Sequence, residues 1–320
     1  MKTVLVTGGA GFIGSHLCDR LIEDGYRVIC VDNLLTGSRD NIAHLESRQE
    51  FVFLEADVTQ EKTYTELDGK YDYIFHLASP ASPNPRSRRS YLAHPLETML
   101  VNSVGTQKLL ELAKKQTSRF LFASTSEVYG DPKEHPQKET YWGHVNPVGP
   151  RSCYDESKRF GEAVTMVYQR QGLDVRIARI FNTYGPRMSA DDGRVVVYFI
   201  VQGLKGLPFI IHGDGNQTRS FCYVDDMVDG LTKLMLIQDI SGEIVNLGNP
   251  EEYSVKQLMQ KVANKLGVEA KIDYQPLPKD DPTRRRPDID KAKRLLNWQP
   301  KVGLDEGLDR TMAYFRGVVK

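Results

Sequence analysis

Short β-branched runs alternate with amphipathic stretches through the first half of the chain. "TVLVTG" is followed by a helical pattern over 12–24, then come "RVICVD", "FVFLEAD", "YDYIFHLA", a long amphipathic segment over 95–115, and "RFLFAS". Strands separated by helical patterns need crossover connections, so the pattern predicts an α/β fold with a doubly wound parallel sheet and helices on both faces.

After "VRIARIFN" (175–182) the alternation loosens, and Pro, Gly and Asn thicken around 184–192 and 212–218. Helical patterns over 254–266, 288–296 and 304–315 are joined by a polar, Pro-rich segment, 276–287. The run "GEIVNLG" (242–248) reads as a sheet strand that returns late. The expected organisation is therefore interleaved. Residues 1–181 with about 225–248 form the sheet-bearing domain, and about 182–224 with 249–320 form a smaller, ligand-binding one.

Charge narrows the partners. The 320 residues carry 42 Lys+Arg against 42 Asp+Glu, so no basic field offers itself to nucleic acid or an anionic membrane, and any bound anion must be held locally. Cys18, Cys30, Cys153 and Cys222 form no CxxC pair and no Cys/His cluster at ligand spacing, so no metal is expected and a reduced, cytoplasmic setting is. The sequence opens directly on a strand pattern, and no run approaches the ~18 apolar residues of a membrane span.

The first candidate chemistry is "VTGGAGFIGSH" between the first strand and the first helix. It holds Gly9-x-Gly11-x-x-Gly14 and, in a second register, Gly8, Gly11 and Gly14, with Phe12 and Ile13 inside the turn. Glycines there permit a tight turn and close backbone approach to a pyrophosphate, which the helix N-terminus stabilises. A ligand-free glycine turn carries the same pattern. The second strand, however, ends at Asp32, followed by Asn33, eighteen residues beyond Gly14. A carboxylate there accepts hydrogen bonds from ribose hydroxyls and repels a 2′-phosphate, which favours NAD over NADP. Asp57 and Val58 close the third strand, where a carboxylate can meet the adenine amino group or simply sit in an exposed turn. Leu77, Ala78 and Ser79 close the fourth, while His76 reads as packing or hydrogen-bonded structure.

In "FASTSEVYG" a strand-like run ends in Thr125, Ser126 and Glu127, a charge at a strand tip. In "CYDESKRFGEA", Tyr154 and Lys158 are i and i+4 and share one helix face. Oxidation of an alcohol needs a base, and a neighbouring ammonium plus a nicotinamide cation is expected to bring the phenol nearer neutrality. Tyr129 and Lys133 repeat the spacing, but Gly130 and Pro132 rule out a helix face there.

The glycine turn, Asp32, the Thr-Ser-Glu tip followed by Val-Tyr-Gly, and Tyr154-x-x-x-Lys158 together resemble the extended short-chain dehydrogenase/reductase family. The resemblance implies a Rossmann-type sheet, bound NAD and a nucleotide-sugar substrate. It makes Tyr154 the base at sugar C4, Lys158 the nicotinamide-ribose ligand that tunes it, and Thr125, beside Ser126, the partner of the same hydroxyl. Asn102 joins the cofactor contacts. A homodimer through 95–115 and 157–171 is implied as well.

Longer stretches, "HLASPASP", "ASTSEVYGDPKEHPQKETYWGHVNPVGPRSCYDESKR", "RIFNTYGPRM", "DGRVV", "QTRSFCYVDD", "NLGNPEEYS" and "RRRPDI", are similar to the UDP-glucuronate decarboxylase (UDP-xylose synthase) family. By that resemblance Glu127 assists near C5, and Arg285 holds the substrate or protonates C5. Asn182, Arg187, Arg194, Arg219, Arg285 and Tyr91 bind the UDP-sugar. Arginine suits a diphosphate because its planar fork donates two parallel hydrogen bonds; Arg284 and Arg286 read as solvated. A 4-epimerase or 4,6-dehydratase shares the first oxidation and stays open as an alternative, as does an NAD-sensing binding protein on the same fold. One departure concerns "NPRSRRSYLAHP", about five residues longer than the family's passage. A solvated loop is the ordinary reading, and a lid in which Arg86, Arg88 or Arg89 covers the sugar is the sharper one. It leaves the role of Tyr91 open.

Overall fold

In the computed structural model, which describes residues 1–277 and 284–319, the apolar runs become strands in the expected order. The first half reads β1 (Thr3–Thr7), α1 (Phe12–Glu23), β2 (Arg27–Asp32), β3 (Phe51–Glu55), α2 (Glu61–Glu66), β4 (Tyr73–His76), α3 (Pro95–Leu100), α4 (Thr106–Gln116), β5 (Arg119–Thr125), α5 (Ser152–Arg170) and β6 (Val175–Ile180). Smaller elements follow: β7 (Thr183–Tyr184), α6 (Val195–Leu204), β8 (Phe209–His212), β9 (Thr218–Ser220), β10 (Cys222–Tyr223), α7 (Val224–Leu236) and β11 (Ile244–Leu247). The chain closes with β12 (Glu252–Ser254), α8 (Val255–Leu266), β13 (Ile272–Gln275), β14 (Arg284–Arg285), α9 (Asp290–Leu296) and α10 (Leu304–Val318). Residues 278–283, the middle of the Pro-rich segment, lie outside the described residues.

Seven strands form one parallel sheet in the order β11-β6-β5-β4-β1-β2-β3. This is a Rossmann-like fold. The order reverses between β1 and β4, and crevices for ligands open at such a point, beyond the carboxyl ends of the strands. Side chains alternate across the sheet: Val4, Val6, Phe75 and Leu121 join one apolar cluster, and Leu5, Ile74, Phe120 and Phe122 the other.

Two local devices aim the site. Gly161 lets α5 lie directly on the sheet, because a Cβ there would come within 2.3 Å of the Phe122 ring. The long segment over 95–115 is not one uniform helix: between α3 and α4 a π turn spans Val101–Gly105, and Gly105 packs on Val58, 3.1 Å from where its Cβ would be. Such single π turns often mark functional positions, and this one carries Asn102.

The second half docks through α7. Gly230 leaves room for Trp298, whose Nε1 donates to Asp226 O at 3.0 Å, and the Asp226 carboxylate accepts from Val302 N at 2.9 Å. In the three-stranded sheet β12-β9-β14, β14 pairs with β9 in a register that sets Arg285 beside Arg219.

Candidate active site

A cavity of about 930 Å³ runs along the carboxyl edge of the large sheet. At one end stands the glycine turn. Gly8 has φ +75, and a Cβ on it would lie 2.6 Å from Ala78 N; one on Gly14 would lie 2.1 Å from Gly8 O. Neither position admits a side chain. Gly11 caps α1 without any side-chain hydrogen bond, so the first-turn N–H groups of that helix have no side-chain competitor for an anion. Phe12 and Ile13 line the wall beside it, as do Val58, Leu77, Ala78 and Ser79.

Asp32, at the tip of β2, is held from behind: Oδ2 accepts from Ala10 N at 3.0 Å and Oδ1 from Leu34 N at 2.9 Å. Burial raises its pKa, and those backbone N–H groups oppose the rise. Asp57 accepts from Thr59 N at 2.8 Å and from Asn33 Nδ2 at 3.3 Å, and both residues border the cavity. The donors, acceptors and missing Cβ atoms fit a dinucleotide. His76 belongs to the scaffold: its ring bonds Thr7 Oγ1 at 2.8 Å and Thr106 Oγ1 at 3.1 Å, and burial lowers its pKa to about 3.

Mid-cavity, Thr125, Ser126 and Glu127 at the end of β5 meet Tyr154 and Lys158 of α5. Lys158 Nζ donates to Ala123 O at 2.8 Å and sits 5.8 Å from the Tyr154 ring centroid. Burial lowers the Lys158 pKa to about 7. In the chain alone the phenol is pushed upward. Burial first and the charge of Glu127 second push Tyr154 up, against a hydrogen bond from Thr125 and the charge of Arg194. The sequence names the lysine but not the depth of the phenol.

Glu127 is the centre of a charged cluster. Arg151 Nη2 lies 2.7 Å from Oε2, Arg285 Nη1 3.7 Å from Oε1, and Tyr91 Oη donates to Oε2 at 3.4 Å. Burial alone would raise Glu127, but the two guanidiniums outweigh it and hold the carboxylate well below its usual range. Arg285 is 4% exposed and also donates to Gly130 O at 3.3 Å, so it is a buried cation, whereas Arg284 is exposed and Arg286 pairs with Glu252 at 3.7 Å.

From the second half of the chain Asn182, Arg187, Arg194 and Arg219 line the cavity. Arg194 is braced by Asp192, with Nε to Oδ1 at 2.6 Å and Nη2 to Oδ2 at 2.9 Å. Arg219 Nη1 donates to Thr218 O at 2.9 Å, and Arg187 Nη1 to Asp19 Oδ2 at 2.6 Å, so Arg187 also ties this half to α1.

Two expected contacts lie behind the wall. Tyr91 is fully buried and stacks on Tyr154, centroids 4.8 Å apart and planes 4° apart, so it positions the phenol and Glu127 and does not border the cavity. Asn102 is buried in the π turn, where Nδ2 donates to Ser79 Oγ at 3.0 Å and Ser157 Oγ at 3.1 Å. The Arg-rich loop is packed, not free. Ser82 Oγ donates to Asp192 O, Asn84 Nδ2 to Asp191 O at 3.3 Å, and Arg89 Nη1 to Thr36 O at 3.1 Å. Arg86 and Arg89 border the cavity, and Arg88 is exposed away from it. The loop thus straps the glycine-turn end to the arginine end.

Arg151 and Asp155 had not been singled out. Both flank Tyr154 in "RSCYDESK", four residues apart on the face that carries it, and that spacing was the available signal. Among the described residues, no group of three or more His, Cys, Asp or Glu is placed to hold a metal, and no helix is long and apolar enough to cross a membrane.

The family pattern described as GDP-mannose 4,6 dehydratase matches residues 5–311. UDP-glucuronic acid decarboxylase 1 of Xenopus tropicalis is 50% identical over 316 residues, 98% of this chain and 72% of that protein. Among solved structures, the UDP-glucose 4-epimerase of Thermotoga maritima with UDP-glucose superposes with a TM-score of 0.89 at 34% identity, covering 99% of this chain and 100% of that one. The UDP-glucuronic acid 4-epimerase of Bacillus cereus, in complex with UDP-glucuronic acid and NAD, gives 0.87 at 31% identity, covering 99% of both chains. The chain therefore belongs to the extended short-chain dehydrogenase/reductase family and, within it, to the UDP-glucuronic acid decarboxylases.

Proposed function

We propose that the protein converts UDP-glucuronate to UDP-xylose and carbon dioxide. The observation that carries this reading is the junction in one cavity of a dinucleotide cradle, a Thr125/Tyr154/Lys158 set and the Glu127–Arg151–Arg285 cluster. The family membership supports the same substrate.

Gly8, Gly11, Gly14, Asp32, Asp57 and Ser79 hold NAD, with Phe12, Ile13, Asn33, Val58, Leu77 and Ala78 forming its walls. When bound, the cofactor supplies the hydride acceptor for C4 and is regenerated within the turnover. Asn102 fixes Ser79 and Ser157 from behind. Arg194, Arg219 and Asn182 orient the uridine diphosphate, with Arg187 at its margin. Guanidinium forks suit that ligand.

Tyr154 takes the C4 hydroxyl proton, and Thr125 keeps that hydroxyl in line. Tyr91, stacked on Tyr154, keeps the phenol from rotating away. The 4-keto hexuronate is a β-keto acid, so its carboxylate leaves readily once the ketone can take the electron pair, and Arg285 and Arg151 stabilise negative charge beside C5. Ser126 and Glu127 form the floor under C5 and C6.

Incubation with UDP-glucuronate and NAD, followed by NMR of the sugar nucleotide, tests the reading. UDP-xylose is expected; unchanged or 4-epimerised hexuronate would sink it. Tyr154→Phe is expected to lower the rate by about 10² to 10⁴, and full turnover by that variant would remove the base assignment.

Residues 1–181 with about 225–248 serve the cofactor, and about 182–224 with 249–320 serve the sugar nucleotide. Two copies associate through α3, the π turn and α5, a reading supported by exposed Leu96, Met99, Leu100, Phe160 and Val167 on that face. Sedimentation of the wild type against Phe160→Glu checks it, with a dimer expected for the first and a monomer for the second. Four unpaired cysteines, three of them buried, support a reducing compartment such as the cytoplasm.

A further inference from the structure

Decarboxylation creates a demand for one proton. When the C5–C6 bond breaks, carbon dioxide departs without the bonding pair, which passes to the C4 oxygen as an enolate. C5 must then gain a proton for each turnover. Glu127 borders the cavity with Thr125 and Tyr154, but at rest it has no proton to give, because Arg151 and Arg285 keep it ionised.

Behind Glu127 lies Asp155, in the first turn of α5. It is 8% exposed, does not border the cavity, and is hydrogen-bonded to Glu127. Its Oδ1 is buried with no hydrogen-bond partner among the described residues. Two carboxyl groups in contact cannot both ionise cheaply, so they share a proton. Both guanidiniums of the cluster are engaged by Glu127, and no cation among the described residues forms a salt bridge with Asp155, so the proton rests on Asp155. The helix N-terminus favours an ionised Asp155, as do the charges of Arg151 and Arg285. Burial and the charge of Glu127 outweigh them and raise the Asp155 carboxyl far above its usual range. The other titratable groups around the pair are Tyr91, Cys153, Tyr154 and Arg194.

We propose that Asp155 is the proton reservoir of the reaction, a positioning residue that acts through Glu127. The inference rests on the decarboxylase reading. As the enolate forms, Glu127 takes the proton held by Asp155 and passes it to C5. Asp155 is left as a carboxylate and recovers a proton from water before the next turnover. One proton enters and one carbon dioxide leaves, with no co-reactant beyond the recycled hydride.

The full-length wild type, Asp155→Asn and Asp155→Glu are compared with UDP-glucuronate and NAD from weakly acid to alkaline pH. In the wild type kcat falls on the alkaline side as the reservoir empties. Asp155→Asn, which still donates a hydrogen bond to Glu127, is expected to lose kcat on the order of 10²-fold, keep KM within about twofold and lose the alkaline limb. Asp155→Glu restores rate and limb. Wild-type kcat in Asp155→Asn, or a lowered kcat with the limb unchanged, overturns the proposal. Infrared spectroscopy keeps the test decisive if Asp155→Asn folds poorly. A protonated carboxyl band is expected in the wild type at neutral pH, and its absence overturns the proposal. A wild type that leaves UDP-glucuronate untouched overturns the decarboxylase reading and this inference with it. Turnover with any of the contrary Asp155 results overturns the inference alone.

Discussion

The cavity offers anions two opposite means of binding. The glycine turn is made of backbone: a Cβ would lie 2.6 Å from a neighbouring atom at Gly8 and 2.1 Å at Gly14, and a helix N-terminus stands behind them. The arginine-lined part is made of long side chains, with Arg194 just before α6, Arg219 on β9 and Arg285 on β14, each braced by a carboxylate or a carbonyl. A backbone device is local and fails whole when one atom is added. A side-chain device is assembled from distant segments and degrades by parts.

The sharpest way to break this contrast is Gly14→Val. A side chain there must displace the Gly8 carbonyl, so NAD affinity and turnover are both expected to fall by at least about 10³, worth ~4 kcal/mol, while titration calorimetry with UDP alone still shows binding. Normal NAD affinity would remove the distinction. Arg219→Ala should do the reverse at lower cost: KM for UDP-glucuronate rises about 10- to 50-fold at low salt and less at high salt, where screening already weakens the wild-type contact, and NAD affinity is unchanged.

Asp32→Ser is milder. Loss of the carboxylate should weaken NAD about tenfold and narrow its preference over NADP, as measured by the ratio of turnover with each cofactor. An unchanged ratio would place 2′-phosphate exclusion elsewhere.

The smallest effect is on stability. Folding raises the Asp155 pKa to about 9 from 3.8, so between those values the native chain holds a proton that the unfolded chain has released. This group therefore costs stability progressively as pH rises from about 4 to 9. Asp155→Asn lacks the penalty, so its melting temperature should gain on the wild type by a few degrees toward alkaline pH, by calorimetry. Parallel melting curves across that window would contradict it.

The same contrast explains what could be read from the sequence. β1, β2, β4 and β5 are short apolar runs bounded by turns, and the glycine spacing, Asp32 and Tyr154/Lys158 are local patterns with local causes. What escaped depends on contacts between distant segments. The pairing of β14 with β9 sets Arg285 against Arg219, and that register is not written in either segment. Tyr91 and Asn102 line up with the site residues in sequence but end one layer too deep. The upward push on Tyr154 has a related origin: burial and Glu127 cause it, and neither follows from the i, i+4 spacing. Arg151 and Asp155 were adjacent to a residue already chosen, yet their meaning comes from Glu127 on another strand.

One apolar cluster runs without a break from Val4 and Val6 in β1, through Val197 and Phe199 in α6, to Leu308 and Phe315 in α10. The two halves of the chain therefore share one continuous apolar core. Ligand binding at the glycine turn is therefore expected to slow amide exchange in α10, and loss of α10 to loosen the glycine turn nearly three hundred residues earlier.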